Sequence, residues 1–128
     1  MVGRIISVLC VLITGFTSLA PTGQSAEVKI MTIPVTEQIY MITGKGGNIG
    51  WFIGEDGTFL IDDQFAPLTE KIVAAIKSVG GDFPKFLINT HYHGDHTGGN
   101  ENLGQGGTLI FSHDNVRERL STGSFIEA

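Results

Sequence analysis

The chain has 128 residues and carries 8 basic against 13 acidic side chains, for a net charge of −5. That length holds one small domain, and an acidic balance with no basic cluster excludes nucleic acid as a partner. A single cysteine, Cys10, excludes a disulfide framework and a thiolate zinc site.

In chain order, Arg4 precedes an apolar run over residues 5–16, and small and polar residues then lead to Ala20 and Ala26. That order predicts a secretory signal peptide over residues 1–26, cleaved after position 20 to 26, followed by a domain at 27–128. Thr14, Gly15, Thr17 and Ser18 interrupt the run, which falls short of the roughly 20 apolar residues that span a bilayer. A retained anchor is the alternative. Removal takes Arg4, one of the eight basic residues, and none of the thirteen acidic ones, leaving −6. Cys10 leaves with it. The expectation is a periplasmic or secreted protein with no stable membrane association once the signal is gone; the oligomeric state stays open.

Residues 28–33 alternate in period two, and residues 38–42 repeat the β-branched and aromatic bias, so both read as strands. Residues 43–48 form a glycine-rich turn. It is no dinucleotide fingerprint, because Ile49 stands where the third glycine is required. Residues 49–53 and 58–61 read as a hairpin turning at Glu55-Asp56-Gly57. Pro67 and Thr69 open a helix with Ile72, Val73, Ile76 and Val79 on one face, stopped by Gly80-Gly81. A strand at 86–88, a helix-like stretch after His96, a strand at 108–111 and a helix at 112–120 capped by Ser112 or Asp114 complete the chain. Strands first and alternating helix and strand afterwards make a sheet covered by helices on its outer face.

The most informative segment is His91-Tyr92-His93-Gly94-Asp95-His96, which holds every histidine but His113. Imidazole and carboxylate are the ligands of zinc and similar ions in hydrolytic sites. The segment follows the apolar run Phe86-Leu87-Ile88 and precedes Gly98-Gly99, so it reads as a loop leaving a buried strand. Two histidines two apart, with Gly94 interrupting any helix, favour an extended layout. His91, His93 and Asp95 then project to one side and His96 to the other. Such a layout can serve two neighbouring metals, the first two histidines on one and Asp95 with His96 on the second.

His-x-His-x-Asp-His, preceded by Asn89-Thr90 and followed by Thr97-Gly98-Gly99-Asn100, resembles the signature of the metallo-β-lactamase-fold hydrolases. The resemblance extends back through Gly54-Glu55-Asp56-Gly57 and Leu60-Ile61-Asp62-Asp63, and covers the chain from about residue 27 onward. It implies an α+β fold, a metallo-β-lactamase-like αββα sandwich of which this chain holds only the N-terminal sheet-plus-helices half. It also implies that His91 and His93 bind a first metal and Asp95 and His96 a second. The implied activity is hydrolysis of a small-molecule β-lactam, thioester, lactone or other ester by a metal-bound hydroxide, with Asp95 orienting the nucleophile and passing a proton to the leaving group. Two zinc ions are expected, and iron or manganese suits the same ligands.

The resemblance further implies a third histidine for the first metal, a bridging carboxylate and a last histidine for the second, none of which can be placed here. Two other readings therefore stand beside the hydrolase: a non-catalytic truncated fragment with a partial metal site, and a mononuclear iron enzyme like the persulfide dioxygenases. Asp62 is expected to hydrogen-bond a ligand histidine or its loop, against the alternative of a strand-end turn acid. Gly46-Gly47-Asn48 either forms part of a flap over the substrate or is a plain tight turn. Trp51 and Phe52 read as core and sheet-face residues, His113 as a surface or capping residue, and Arg117, Glu118 and Arg119 as a solvated helix face.

Overall fold

A computed structural model describes residues 27–123. The expected signal peptide, its cleavage point and Cys10 lie outside them. Four strands come first and pair antiparallel in succession: β1 (Met31–Pro34), β2 (Ile39–Thr43), β3 (Ile49–Gly54) and β4 (Gly57–Ile61). The β3–β4 connection is a two-residue turn at Glu55-Asp56, closed by the pair Gly54 and Gly57. Gly57 takes a φ of 118°, open in practice only to glycine.

The connections then lengthen and the pairing becomes parallel. A 3-10 turn (Ala66–Leu68) and helix α1 (Thr69–Ser78) lead to β5 (Phe86–Asn89). Helices α2 (Gly94–Thr97) and α3 (Asn100–Gln105) lead to β6 (Leu109–Ser112), and α4 (Asp114–Ser121) follows. The result is one six-stranded mixed sheet in sequential order.

The core lies on one side of that sheet. Ile42, Ile49, Trp51, Leu60 and Leu87 point to it, and Ile72 and Ile76 of α1 and Leu103 of α3 close it. Ile72 and Ile76 are four apart, so both fall on the face of α1 turned to the sheet. Glu70 in the first turn and Lys77 in the last complement the helix dipole. Each such buried aliphatic side chain contributes about 1.5–3 kcal/mol of transfer free energy. Phe52, Phe59, Ile61, Phe86 and Ile88, which alternate with the core residues, face the other way and stay partly or largely exposed.

Most boundaries move by one to three residues from the sequence reading, and three of the shifts have a cause in the contacts. β1 begins at Met31, not at 28, because Val28 and Ile30 pack against the core cluster and the pairing starts at Met31–Thr43. Thr108 stays out of β6, its hydroxyl donating to Pro84 O at 2.7 Å. The cap of α4 is His113, whose Nδ1 accepts from Asn115 N, and neither Ser112 nor Asp114 takes that place. No helix among the described residues is long and apolar enough to cross a membrane.

Candidate metal centre

The site forms where the parallel strands end. Beyond β4, Asp62 N donates to Ile88 O at 2.9 Å, which extends the pairing by one step. Asp62 and Gln64 then take positive φ values of 60° and 55°. Aspartate tolerates the left-handed region better than most residues because its short polar side chain bonds locally. Here that turn aims the buried Asp62 carboxylate at the end of β5.

Thr90 and the three histidines follow β5. The segment is not extended throughout: His93 (φ −66°, ψ 148°) caps the short helix α2, and His96 N and Thr97 N both donate to His93 O. Gly94 is therefore the first residue of a helix where the sequence reading had it interrupting one. Asp95 and His96 sit on that helix, so the strict side-to-side alternation expected of them does not hold. The turn draws His96 back toward His91, with ring centroids 4.0 Å apart, while His93 lies edge-on to His91 at 4.7 Å.

A hydrogen-bond network fixes which ring nitrogens are available. Asp62 Oδ2 lies 2.8 Å from His96 Nδ1, and since a carboxylate only accepts, Nδ1 carries the proton. Thr90 Oγ1 donates to the same Oδ2 at 2.7 Å, and Thr90 N donates to Oδ1 at 2.8 Å. With its one proton committed, the Thr90 oxygen accepts from His91 Nδ1 at 3.0 Å. Both His91 and His96 are left with an Nε2 lone pair, the state a metal-bound histidine needs. Burial pushes the His91 imidazole below its ordinary pKa, and the neighbouring His96 and His93 rings act in the same direction, outweighing the carboxylates of Asp62 and Asp95. Ligand atoms of Asp62, His91 and His96 lie within 4.8 Å of one another, a grouping of the kind that can hold a metal ion and one that includes neither His93 nor Asp95.

Asp95 is buried beside them. Its Oδ2 accepts from Gly47 N at 2.7 Å and stands 3.5 Å from His96 Nε2, whereas Oδ1 has no hydrogen-bond partner. A buried carboxylate oxygen without a donor is costly, and a cation at it would remove that cost. The donor set of nitrogen and carboxylate oxygen, with no sulfur, suits zinc. The residues present thus fit the metal.

The glycine turn lies against this centre. A Cβ on Gly47 would strike the His96 imidazole, and one on Gly46, whose φ is 82°, would meet Asp95 Cβ at 2.6 Å. Gln64 Nε2 holds the turn from behind through Gly47 O at 2.6 Å. Asn48 is exposed. Asp63 backs the loop on its other side: its N donates to His96 O and its Oδ1 accepts from Gly99 N at 3.0 Å. Burial raises the Asp63 carboxyl to about 7, with the Asp62 charge adding to the rise and the Gly99 bond opposing it.

The sequence reading missed Thr90 as a bridge and Gln64 and Asp63 as supports. Thr90 was visible only as the residue before the first histidine. Arg119 is exposed as expected, yet its guanidinium lies 5.0 Å over the ring of Tyr92, tying α4 to the histidine loop. His113 stays outside the centre, as a cap.

The profile of the metallo-beta-lactamase superfamily matches residues 42–108, from the second strand through the histidine loop to the residue before the last strand. The chain belongs to that superfamily. Solved metallo-beta-lactamases share its fold. The FIM-1 enzyme of Pseudomonas aeruginosa, solved in a mono-zinc form, superposes with a TM-score of 0.68 at 18% identity, over 81% of this chain and 50% of its own. DIM-1 gives 0.65 at 23% identity, over 80% and 50%, and Rm3 gives 0.56 at 27% identity, over 62% and 30%. This chain spans half or less of the length of these structures. No curated protein matches it.

Proposed function

We propose that this chain carries part of the site of a metal-dependent hydrolase that opens a β-lactam, thioester, lactone or other ester. The observation that supports it most is the pair of Nε2 lone pairs on His91 and His96, set free by one carboxylate and one hydroxyl, beside the unpartnered Asp95 Oδ1. His91 and His93 would hold a first ion, Asp95 and His96 a second, with zinc as the expected metal. When bound, zinc supplies Lewis acidity, polarising an acyl oxygen and lowering the pKa of water.

The protein's own groups do the rest. Asp62 fixes the His96 tautomer and, through Thr90, that of His91, so that neither ring turns away from its task. Asp95, held at Oδ2 by Gly47 N, would orient the nucleophile and pass a proton to the leaving group. Gly46-Gly47-Asn48 is the flap bordering the substrate, and the glycines let it approach the imidazoles. Export to the periplasm or beyond is part of the same reading, tested by an N-terminus that starts between residues 21 and 27.

The test is zinc titration of the purified chain, with His91→Ala, His93→Ala and Asp95→Asn beside it, followed by turnover of β-lactam, thioester and lactone substrates. Zinc binding lost in both histidine variants supports the site. Unchanged zinc content in His91→Ala, or iron in place of zinc with oxygen uptake, overturns the assignment.

A further inference from the structure

The hydrogen bonds of the metal centre orient two of its three histidines and pass the third by. Asp62 and Thr90 fix the rings of His91 and His96, whereas among the described residues the His93 imidazole makes no hydrogen bond. Its backbone is secured, since His93 O accepts from Thr97 Oγ1 at 3.0 Å as well as from two amides of α2. What surrounds the half-buried ring is aromatic. It stands edge-on to His91 at 4.7 Å and edge-on to Tyr92 at 5.1 Å, the latter pair with planes 77° apart. Packing of this kind is what holds a rotamer when neither ring nitrogen is bonded.

Tyr92 is held in turn from outside the loop. The Arg119 guanidinium lies 5.0 Å over its ring. Arg119 belongs to α4, beyond residue 108 where the superfamily profile ends. Val116, three residues earlier, is buried and Leu120 is half-buried, so Arg119 stands on the face of α4 that packs against the body. Among the described residues its guanidinium makes no ion pair, not even with Glu118 beside it. Its charge is set against the aromatic face instead, and a cation over that face restrains the ring that meets His93.

We infer that Tyr92 and Arg119 are positioning residues for His93: Arg119 pins the Tyr92 ring, and Tyr92 keeps the His93 imidazole beside His91 and out of solvent. The ordering of the ring stands on its own, while its effect on zinc rests on the proposed reading of His93 as a metal ligand. His93 is not among the groups whose ligand atoms already lie within 4.8 Å of one another, so whatever sets its ring decides how readily it joins them. A ring already in place loses less freedom when an ion binds. Tyr92 thus does more than space two histidines, and α4 acts on the centre without supplying a ligand.

The experiment compares Arg119→Met, Arg119→Lys, Tyr92→Leu and Tyr92→Phe with the wild type, and repeats Arg119→Met on a His93→Ala background. In the metal-free chain, Hα–Hβ couplings of His93 read its rotamer. A single rotamer is expected in the wild type, Arg119→Lys and Tyr92→Phe, and averaged couplings in Arg119→Met and Tyr92→Leu. Zinc affinity, from chelator competition, should fall about two- to fivefold in Arg119→Met, the effect of an exposed cation–π contact. It should fall about tenfold in Tyr92→Leu, which loses both contacts. Arg119→Lys and Tyr92→Phe keep the cation and the ring and should match the wild type. With His93→Ala already present, Arg119→Met should change nothing further, because the residue it acts through is gone. Circular dichroism checks folding, and if Tyr92→Leu does not fold, the exposed Arg119→Met decides alone. An averaged His93 ring in the wild type, a single rotamer in Arg119→Met, or a loss in Tyr92→Phe equal to that in Tyr92→Leu overturns the inference. Where His93→Ala itself weakens zinc, so does an Arg119→Met affinity that is unchanged, raised, or lowered equally with and without His93. Zinc binding untouched by His93→Ala overturns the metal reading of that residue, and the metal-free couplings still decide the positioning.

Discussion

Asp62 Oδ2 stands 2.8 Å from His96 Nδ1, although 34 residues and two strand ends separate them in the chain. The bond sets the ring's tautomer and leaves the opposite nitrogen toward Asp95. Asp62→Asn keeps a residue that accepts the φ of 60° and removes the negative charge. It should weaken zinc binding about 10–100-fold, the usual effect of losing a carboxylate behind a ligand histidine. Asp62→Ala should do the same and also lower stability, by about 1 kcal/mol, because alanine is strained at that φ. Chelator competition and urea unfolding separate the two effects.

Thr90 passes the influence of Asp62 to His91. Thr90→Val keeps the shape and removes both hydrogen bonds of the hydroxyl, while Thr90→Ser keeps them. Zinc affinity should drop several-fold in the valine variant and return in the serine variant. Nitrogen NMR of the imidazoles gives the sharper check, since only valine should leave the His91 proton free to move from Nδ1 to Nε2.

Much of this was legible beforehand. The turn at Glu55-Asp56-Gly57 announced the hairpin strands on either side of it, and the spacing of Ile72 and Ile76 announced α1, because burial on one face imposes a period. The histidine motif announced the metal centre by residue type. What stayed hidden depends on three dimensions. A four-residue helix such as α2 is too short to show a period, so Gly94 read as a breaker. Thr90 bridges partners 28 positions and one position away, and no local pattern signals that. His113 caps α4 with a ring nitrogen, a use that the usual preference for serine or aspartate obscures.

Asp63 gives the metal-free protein a pH dependence. Its carboxyl is raised from an ordinary 3.8 to about 7 in the folded chain. Between those values the unfolded chain has lost the proton and the folded chain has kept it, so stability falls as pH rises, by up to about 1.4 kcal/mol per unit, and levels off above 7. Asp63→Asn mimics the protonated form and should flatten this stretch, leaving the variant more stable than wild type at pH 8. Urea midpoints from pH 4 to pH 8, taken in the presence of chelator, read the difference directly.

The glycine turn should be far less tolerant than its exposure implies. Gly47→Ala drives a methyl group into the His96 ring and should cost about 1–3 kcal/mol and most of the zinc affinity. Gly80→Ala is the comparison. It has a φ of 91° with open space around it, so about 1 kcal/mol of backbone strain is expected, with zinc binding intact.

Asp62 and Gln64 wind the end of β4 in the left-handed sense that each would leave if released. Their side chains are tied to different loops, one to Thr90 and His96, the other to the carbonyl of Gly47. Residues 62–64 therefore act as a latch with two catches. A change that frees either catch lets the backbone relax toward its preferred conformation and loosens its grip on the other. Damage to the glycine turn will thus be felt at His91, which it does not need to touch, and protection of the Thr90 and Gly47 amides from hydrogen exchange should be lost together.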